Sequence, residues 1–203
     1  MEELNILIEK TLNGNEDSDQ HTLPIFSLVL ASKAKTIIEL GSRGGNTLLP
    51  FVLGASKTNG MVYSVDIDDC SDQLKKVIPE KYYNYYKFVH QDAIQFLKDW
   101  DRSKKVDLVF VDDWHSYDQV KQELHLLSDM VTEKGIILLH DTMYQGAEPY
   151  YHISTTSSGE WANGAPARAV LELPSIFWEY VTLPWNNGLT IVRKKTIPNY
   201  IRK

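Results

Sequence analysis

The segment Glu39-Leu40-Gly41-Ser42-Arg43-Gly44-Gly45-Asn46-Thr47 is the first stretch of this sequence whose residue types can do chemistry. Glycines at this spacing let the backbone turn sharply and bring its amides close to a ligand. The pattern Glu-x-Gly-x-x-x-Gly departs from the Gly-x-Gly-x-x-Gly of dinucleotide sites, where a pyrophosphate rests on a helix N-terminus. An acidic residue at its start repels pyrophosphate and suits a cation, such as an ammonium or a sulfonium. Asp66, followed by Ile67, is placed to accept hydrogen bonds from two ribose hydroxyls, and Asp92, followed by Ala93, to accept one from a purine amino group. Taken singly, each acid is also readable as a helix cap or turn residue. Their order at successive strand ends argues for a common ligand.

A second group lies further on, in Asp112-Asp113-Trp114-His115-Ser116-Tyr117 and Leu139-His140-Asp141-Thr142. If the two segments are neighbours, Asp112, His115, His140 and Asp141 converge beside the first site. Two carboxylates with open positions form an oxygen-rich site for Mg²⁺ or Mn²⁺. A histidine ligand, for which His140 is the candidate, moves the preference towards Mn²⁺, Fe²⁺ or Zn²⁺. The competing readings are Asp112 as a helix cap, His115 as a surface residue in a first helical turn, and His140 bonded to nearby backbone. His21, His90, His125 and His152 show no pattern and are expected to be structural or solvent-facing. Trp114, Trp161 and Trp185 are candidates for a substrate pocket or for core and lid packing.

The elements that must hold these residues are legible as apolar runs. Strands are expected at Thr36–Leu40, Met61–Asp66, Tyr86–His90, Val106–Asp112 and Gly135–Asp141. Helices are expected near Thr47–Ser56, Cys70–Val77, Ala93–Trp100 and Tyr117–Met130. Near-continuous apolar strands separated by helices indicate a parallel sheet covered on both faces, and right-handed crossovers make it doubly wound. Ligands of such sheets sit outside the carboxyl ends of the strands, where the acids above fall. Leu4, Leu7, Ile8 and Leu12 predict an N-terminal helix, and a second starts near Thr22 with Pro24 in its first turn. Gly-, Ser- and Thr-rich sequence from Tyr144 to Gly164 reads as a loop able to close over the site, followed by a helix near Ala165–Leu173. Asn187-Gly188, between Phe177–Leu183 and Leu189–Lys194, signals a terminal hairpin. The expectation is one α/β domain over residues 1–203: a Rossmann-like, seven-stranded, mostly parallel sheet with an antiparallel C-terminal strand and helices on both faces. Residues 1–33 form N-terminal helices and 34–195 the core.

On these motifs the sequence resembles the class I S-adenosylmethionine-dependent methyltransferases: Glu39–Thr47 looks like their first motif, and Val62–Asp68 like their ribose-binding strand. The resemblance implies S-adenosylmethionine as cofactor, held around Glu39, Gly41, Ser42, Gly45, Asn46, Asp66, Ile67, Asp92, Ala93 and Asp112. The segments Val111–Val120 and Leu138–Thr142 resemble methyltransferase family 24, the metal-dependent branch related to macrocin and mycinamicin O-methyltransferases and to cephalosporin hydroxylase-like proteins. That resemblance implies Asp112 and Asp141 as metal ligands, His115 as general base, and the hydroxyl of a small molecule, sugar or catechol-like, as acceptor. The sequence departs from the branch in three places. His140 stands where the sugar enzymes have glutamate, Thr142 where the catechol enzymes have asparagine, and Asp113 where glycine is usual. A non-haem iron hydroxylase on the same fold and a non-catalytic cofactor-binding protein are the alternatives.

Composition bounds the partners. The net charge of −6 over 203 residues argues against nucleic acid or an anionic membrane surface as partner. Cys70 is the sole cysteine, which excludes an internal disulfide and a thiolate zinc cluster. The apolar runs are too short for a membrane span and no charged-then-apolar leader opens the sequence, so a cytoplasmic location is expected. A homodimer is compatible with all of this.

Overall fold

The computed structural model describes residues 2–143 and 165–196. Strands β1 (Thr36–Leu40), β2 (Met61–Asp66), β3 (Tyr86–His90), β4 (Val106–Val111), β5 (Val131–His140), β6 (Trp178–Leu183) and β7 (Leu189–Lys194) form one sheet of order β3-β2-β1-β4-β5-β7-β6. The first five run parallel, while β7 pairs antiparallel with both β5 and β6. This is the expected doubly wound, mostly parallel α/β sheet.

The continuous apolar strands are explained by two cores, one on each face, because successive side chains point to opposite sides. Ile37, Leu108, Phe110 and Leu138 pack under α1 (Glu2–Asn13), α2 (Thr22–Ser32), α3 (Leu48–Thr58) and α4 (Ser71–Val77). Ile38, Val109, Val111, Ile137 and Leu139 pack under α5 (Ala93–Asp99), α6 (Tyr117–Met130) and α7 (Ala165–Leu171). In α6, Val120, Leu124 and Leu127 form the buried stripe.

Most boundaries fall within two residues of expectation, and one differs by more. Strand β5 begins at Val131, directly after α6, rather than at Gly135, and its pairing with β4 shifts register between Val106 and Leu108. Glu133, Lys134 and Gly135 read as a turn, but Val131 is buried and pairs with Val106, which draws the strand across the irregularity. The expected closing loop, Tyr144 to Gly164, lies outside the described residues, as do Trp161 and His152. Among the described residues, no helix is long and apolar enough to cross a membrane.

Candidate functional site

Chain order reverses between β1 and β4, the position where open α/β sheets bind ligands. Two backbone hydrogen bonds fix the floor of this crevice: Gly41 N donates to Val65 O and Asp112 N to Leu40 O, both at 2.9 Å. Gly41 has φ 89°, and a Cβ there would sit 2.2 Å from the Asp112 carbonyl oxygen. The glycine thus brings the β1 loop against the end of β4 as no other residue can. Gly45, at φ 78°, makes the second left-handed turn.

Two cavities open around this loop and share Gly41, Arg43 and Asp112. One, of about 300 Å³, is lined further by Asp66, Ile67, Asp92, Ala93 and Trp114. The other, of about 320 Å³, is more polar and is lined by Lys10, Glu16, Asp17, Ser18, Ser42 and Asn46. Together they form a two-lobed cleft of the size that holds a small cofactor. The residues from 14 to 21 close the polar lobe. Asn46 donates to Ser18 Oγ at 2.7 Å and accepts from Lys10, while Gln20 N donates to Asn186 Oδ1 at 2.8 Å in the β6–β7 turn. Sequence reasoning missed this strap, because the polar residues between the first two helices carry no periodicity.

The acids are placed differently from one another. Asp66 lines the cleft, but its Oδ2 accepts from Ser42 N and Arg43 N, and its Oδ1 from Asp68 N, each at 2.9 Å. Two of these bonds tie the glycine loop to the end of β2 and the third closes a turn at Asp68, so Asp66 serves the loop as well as lining the cleft. Asp92 caps α5 through Oδ1, which accepts from Gln95 N at 2.8 Å, and also lines the cleft.

Glu39 faces neither cavity. It is fully buried, with Oε1 accepting from Thr47 Oγ1 at 2.8 Å and Oε2 accepting from Ser64 Oγ. Burial pushes its carboxyl up to about 8. It props the loop from behind, so the expected contact with an ammonium is not where this geometry puts it; Glu16 and Asp17 are the carboxylates at the polar lobe.

The second group converges as the sequence required. Asp112 Oδ1 lies 3.1 Å from His115 Nε2 and 3.2 Å from His140 Nδ1. His115 Nδ1 lies 3.1 Å from Asp141 Oδ2. Asp141 is fully buried and holds a left-handed φ of 53°. Burial acts to raise the Asp112 pKa, but the hydrogen bonds from His115 and His140 hold it below the usual carboxylate range. Burial likewise opposes charge on His115, yet Asp112 and Asp141 outweigh it and raise its pKa.

Ligand atoms of Asp112, His115 and Asp141 lie within 4.8 Å of one another, a grouping able to hold a metal ion. His140 stands outside it. Its Nδ1 faces Asp112 and its Nε2 faces the Asp17 carbonyl oxygen at 3.2 Å. Both partners are acceptors, which favours the charged ring. Desolvation is overcome by Asp112 and Asp141, which push its pKa up to about 11. His140 therefore lies beside the grouping, with Asp112 and the Asp17 carbonyl oxygen against its two ring nitrogens. His21, which had no sequence signal, is buried and meets the His140 ring edge-on at 5.5 Å; burial and the His140 charge push its pKa down to about 4.

Residues 38–142, more than half of the chain, match the methyltransferase domain of family 24. No curated protein matches the chain in sequence. Among solved structures, the S-adenosylhomocysteine-bound methyltransferase PaMTH1 of Podospora anserina is 20% identical, with 97% of this chain and 89% of that one covered at a TM-score of 0.69. An O-methyltransferase from Bacillus cereus in complex with S-adenosylhomocysteine is 16% identical, covering 96% and 89% at a TM-score of 0.67. The O-methyltransferase TomG of Streptomyces achromogenes, in complex with S-adenosylmethionine and involved in tomaymycin synthesis, is 12% identical, covering 97% and 91% at a TM-score of 0.63. At these identities the likeness is one of fold. With the glycine turn at the switch point and a family match that runs from β1 through Thr142, the chain belongs to methyltransferase family 24 of the class I S-adenosylmethionine-dependent methyltransferases.

Proposed function

We propose that this protein transfers a methyl group to a hydroxyl oxygen of a small molecule, sugar or catechol-like, with S-adenosylmethionine as donor and a divalent cation at the reacting end. The observation that carries the reading is the Asp112–His115–Asp141 cluster, whose Asp112 lies where the two lobes of the cleft meet, with His115 and Asp141 buried behind it.

The residues present fit the cofactor. The apolar lobe offers Ile67, Ala93 and Trp114 to a flat base and Asp66 to a ribose hydroxyl. The polar lobe offers Glu16 and Asp17 to an ammonium and Lys10 to a carboxylate. When bound, S-adenosylmethionine supplies an activated methyl group. The cluster also fits a divalent cation, since Asp112 and Asp141 set two buried carboxylates side by side, an oxygen donor set that would suit Mg²⁺ or Mn²⁺. Such an ion supplies a Lewis acid that lowers the pKa of an acceptor hydroxyl. His115, gripped between Asp112 and Asp141, takes the hydroxyl proton. His140 balances the charge of the two carboxylates, and the walls of the cleft hold the reactants together. The O-methyltransferases from B. cereus and S. achromogenes support oxygen as the acceptor atom.

Asp141→Asn tests the reading, since asparagine tolerates the left-handed backbone that alanine does not. Cofactor affinity and methyl transfer to a panel of catechol and sugar hydroxyls are measured separately. The expected outcome is turnover lowered by roughly a hundredfold or more with cofactor affinity little changed. Turnover equal to wild type removes the metal from the account.

A further inference from the structure

One residue of the buried charge cluster reaches out of it. His140 ends β5 and is 1% exposed. Its Nδ1 faces Asp112 Oδ1 and its Nε2 faces the Asp17 carbonyl oxygen, each at 3.2 Å. Asp112 stands where the two lobes meet, and Asp17 belongs to the strap that lines the polar lobe. The ring therefore joins the floor of the cleft to that wall, a contact that methyl transfer itself does not use.

The strap is otherwise fastened through side chains and at its flanks. Asn46 Nδ2 donates to Ser18 Oγ at 2.7 Å, and Asp19 Oδ2 accepts from Glu16 N at 2.9 Å within the strap itself. Gln20 N donates to Asn186 Oδ1 at 2.8 Å, at the end next to α2. Among the described residues, the contact from His140 is the one that fixes the Asp17 peptide to the sheet. Glu16 and Asp17 are exposed residues of the polar lobe. An exposed loop carboxylate samples many directions, and ordering it weakens binding unless the backbone beneath is already fixed.

We propose that His140 is a positioning residue for the amino-acid end of the cofactor: through Nε2 it holds the Asp17 carbonyl, and so keeps Glu16 and Asp17 at the polar lobe, where an ammonium meets them. The inference rests on the cofactor reading above. Its effect is confined to ligands that carry an amino-acid tail. A nucleoside thioether without that tail occupies the apolar lobe and makes no use of the strap.

Two variants separate the arms of the ring. Asparagine sets its amide nitrogen where Nδ1 stands, glutamine sets its own where Nε2 stands, and both nitrogens donate. His140→Asn thus keeps the Asp112 contact and drops the strap, whereas His140→Gln keeps the strap and drops Asp112. The test is calorimetric titration of S-adenosylhomocysteine and of 5′-methylthioadenosine into the wild type and both variants. His140→Asn is expected to weaken S-adenosylhomocysteine about tenfold and 5′-methylthioadenosine by less than about twofold. His140→Gln is expected to hold S-adenosylhomocysteine within about threefold of the wild type. Equal weakening of both ligands by His140→Asn marks a merely structural residue and overturns the assignment. Equal loss of S-adenosylhomocysteine affinity in the two variants overturns it as well. A wild type that holds both ligands equally overturns the inference and leaves the nucleoside site in place, whereas binding of neither ligand ends both readings. If either variant fails to fold, the wild type with isotope-labelled histidine rings decides by magnetic resonance. The His140 Nε2 signal is expected to shift with S-adenosylhomocysteine alone, and a shift with both ligands or with neither overturns the inference.

Discussion

At the scale of the residue, the site is a balance of buried charge. Asp112 and Asp141 face His115 and His140, so two carboxylates meet two imidazoles. A buried pair of this kind is costly to break by removing one partner. Glu39 has no such counter-charge: two hydroxyls serve it, and burial raises its pKa from 4.5 to about 8. Between those values the folded protein binds a proton that the unfolded chain releases, so this group's stabilising contribution is full below about 4.5 and is lost as pH rises through about 8. Glu39→Gln keeps the shape without the titration. Urea denaturation at several pH values should show the variant gaining on wild type by more than about 1 kcal/mol between pH 5 and pH 8. A constant difference would mean that Glu39 is ionised in the fold. For His115→Gln, the pH–rate profile should lose its acidic limb, and an unaltered profile would remove His115 as the base.

At the scale of the element, the glycine loop is held by what it must touch. Gly41→Ala places a Cβ 2.2 Å from the Asp112 carbonyl oxygen at φ 89°, whereas a Cβ at Gly44 meets nothing within 4 Å. Denaturation should show Gly41→Ala destabilised by roughly 1–3 kcal/mol and Gly44→Ala within about 0.5 kcal/mol of wild type. Equal stability of the two variants would contradict the close approach of β1 loop and β4. The strands, this loop and the Asp112–Asp141 convergence were legible in sequence, because period, glycine spacing and acids at strand ends are local signals. Side-chain direction was not. Glu39 turns to Ser64 and Thr47, and His140 to Asp17, for reasons that reside in partners up to 123 residues away in sequence. The strap from 14 to 21 was illegible for the same reason: its contacts with Asn46, His140 and Asn186 carry no periodicity.

At the scale of the whole molecule, the two helical layers flank the sheet, the cleft opens at the carboxyl ends of β1 and β4, and among the described residues the N-terminal strap lines its polar lobe. Loop, strand ends and strap thereby build one cleft whose ends differ in polarity, as a nucleoside joined to an amino acid differs along its length. Calorimetric titration of S-adenosylhomocysteine into the purified protein tests this most directly. Saturable binding of one molecule per chain, weakened at least about tenfold by Gly41→Ala, is the predicted result. Absence of saturable heat at millimolar ligand would contradict it.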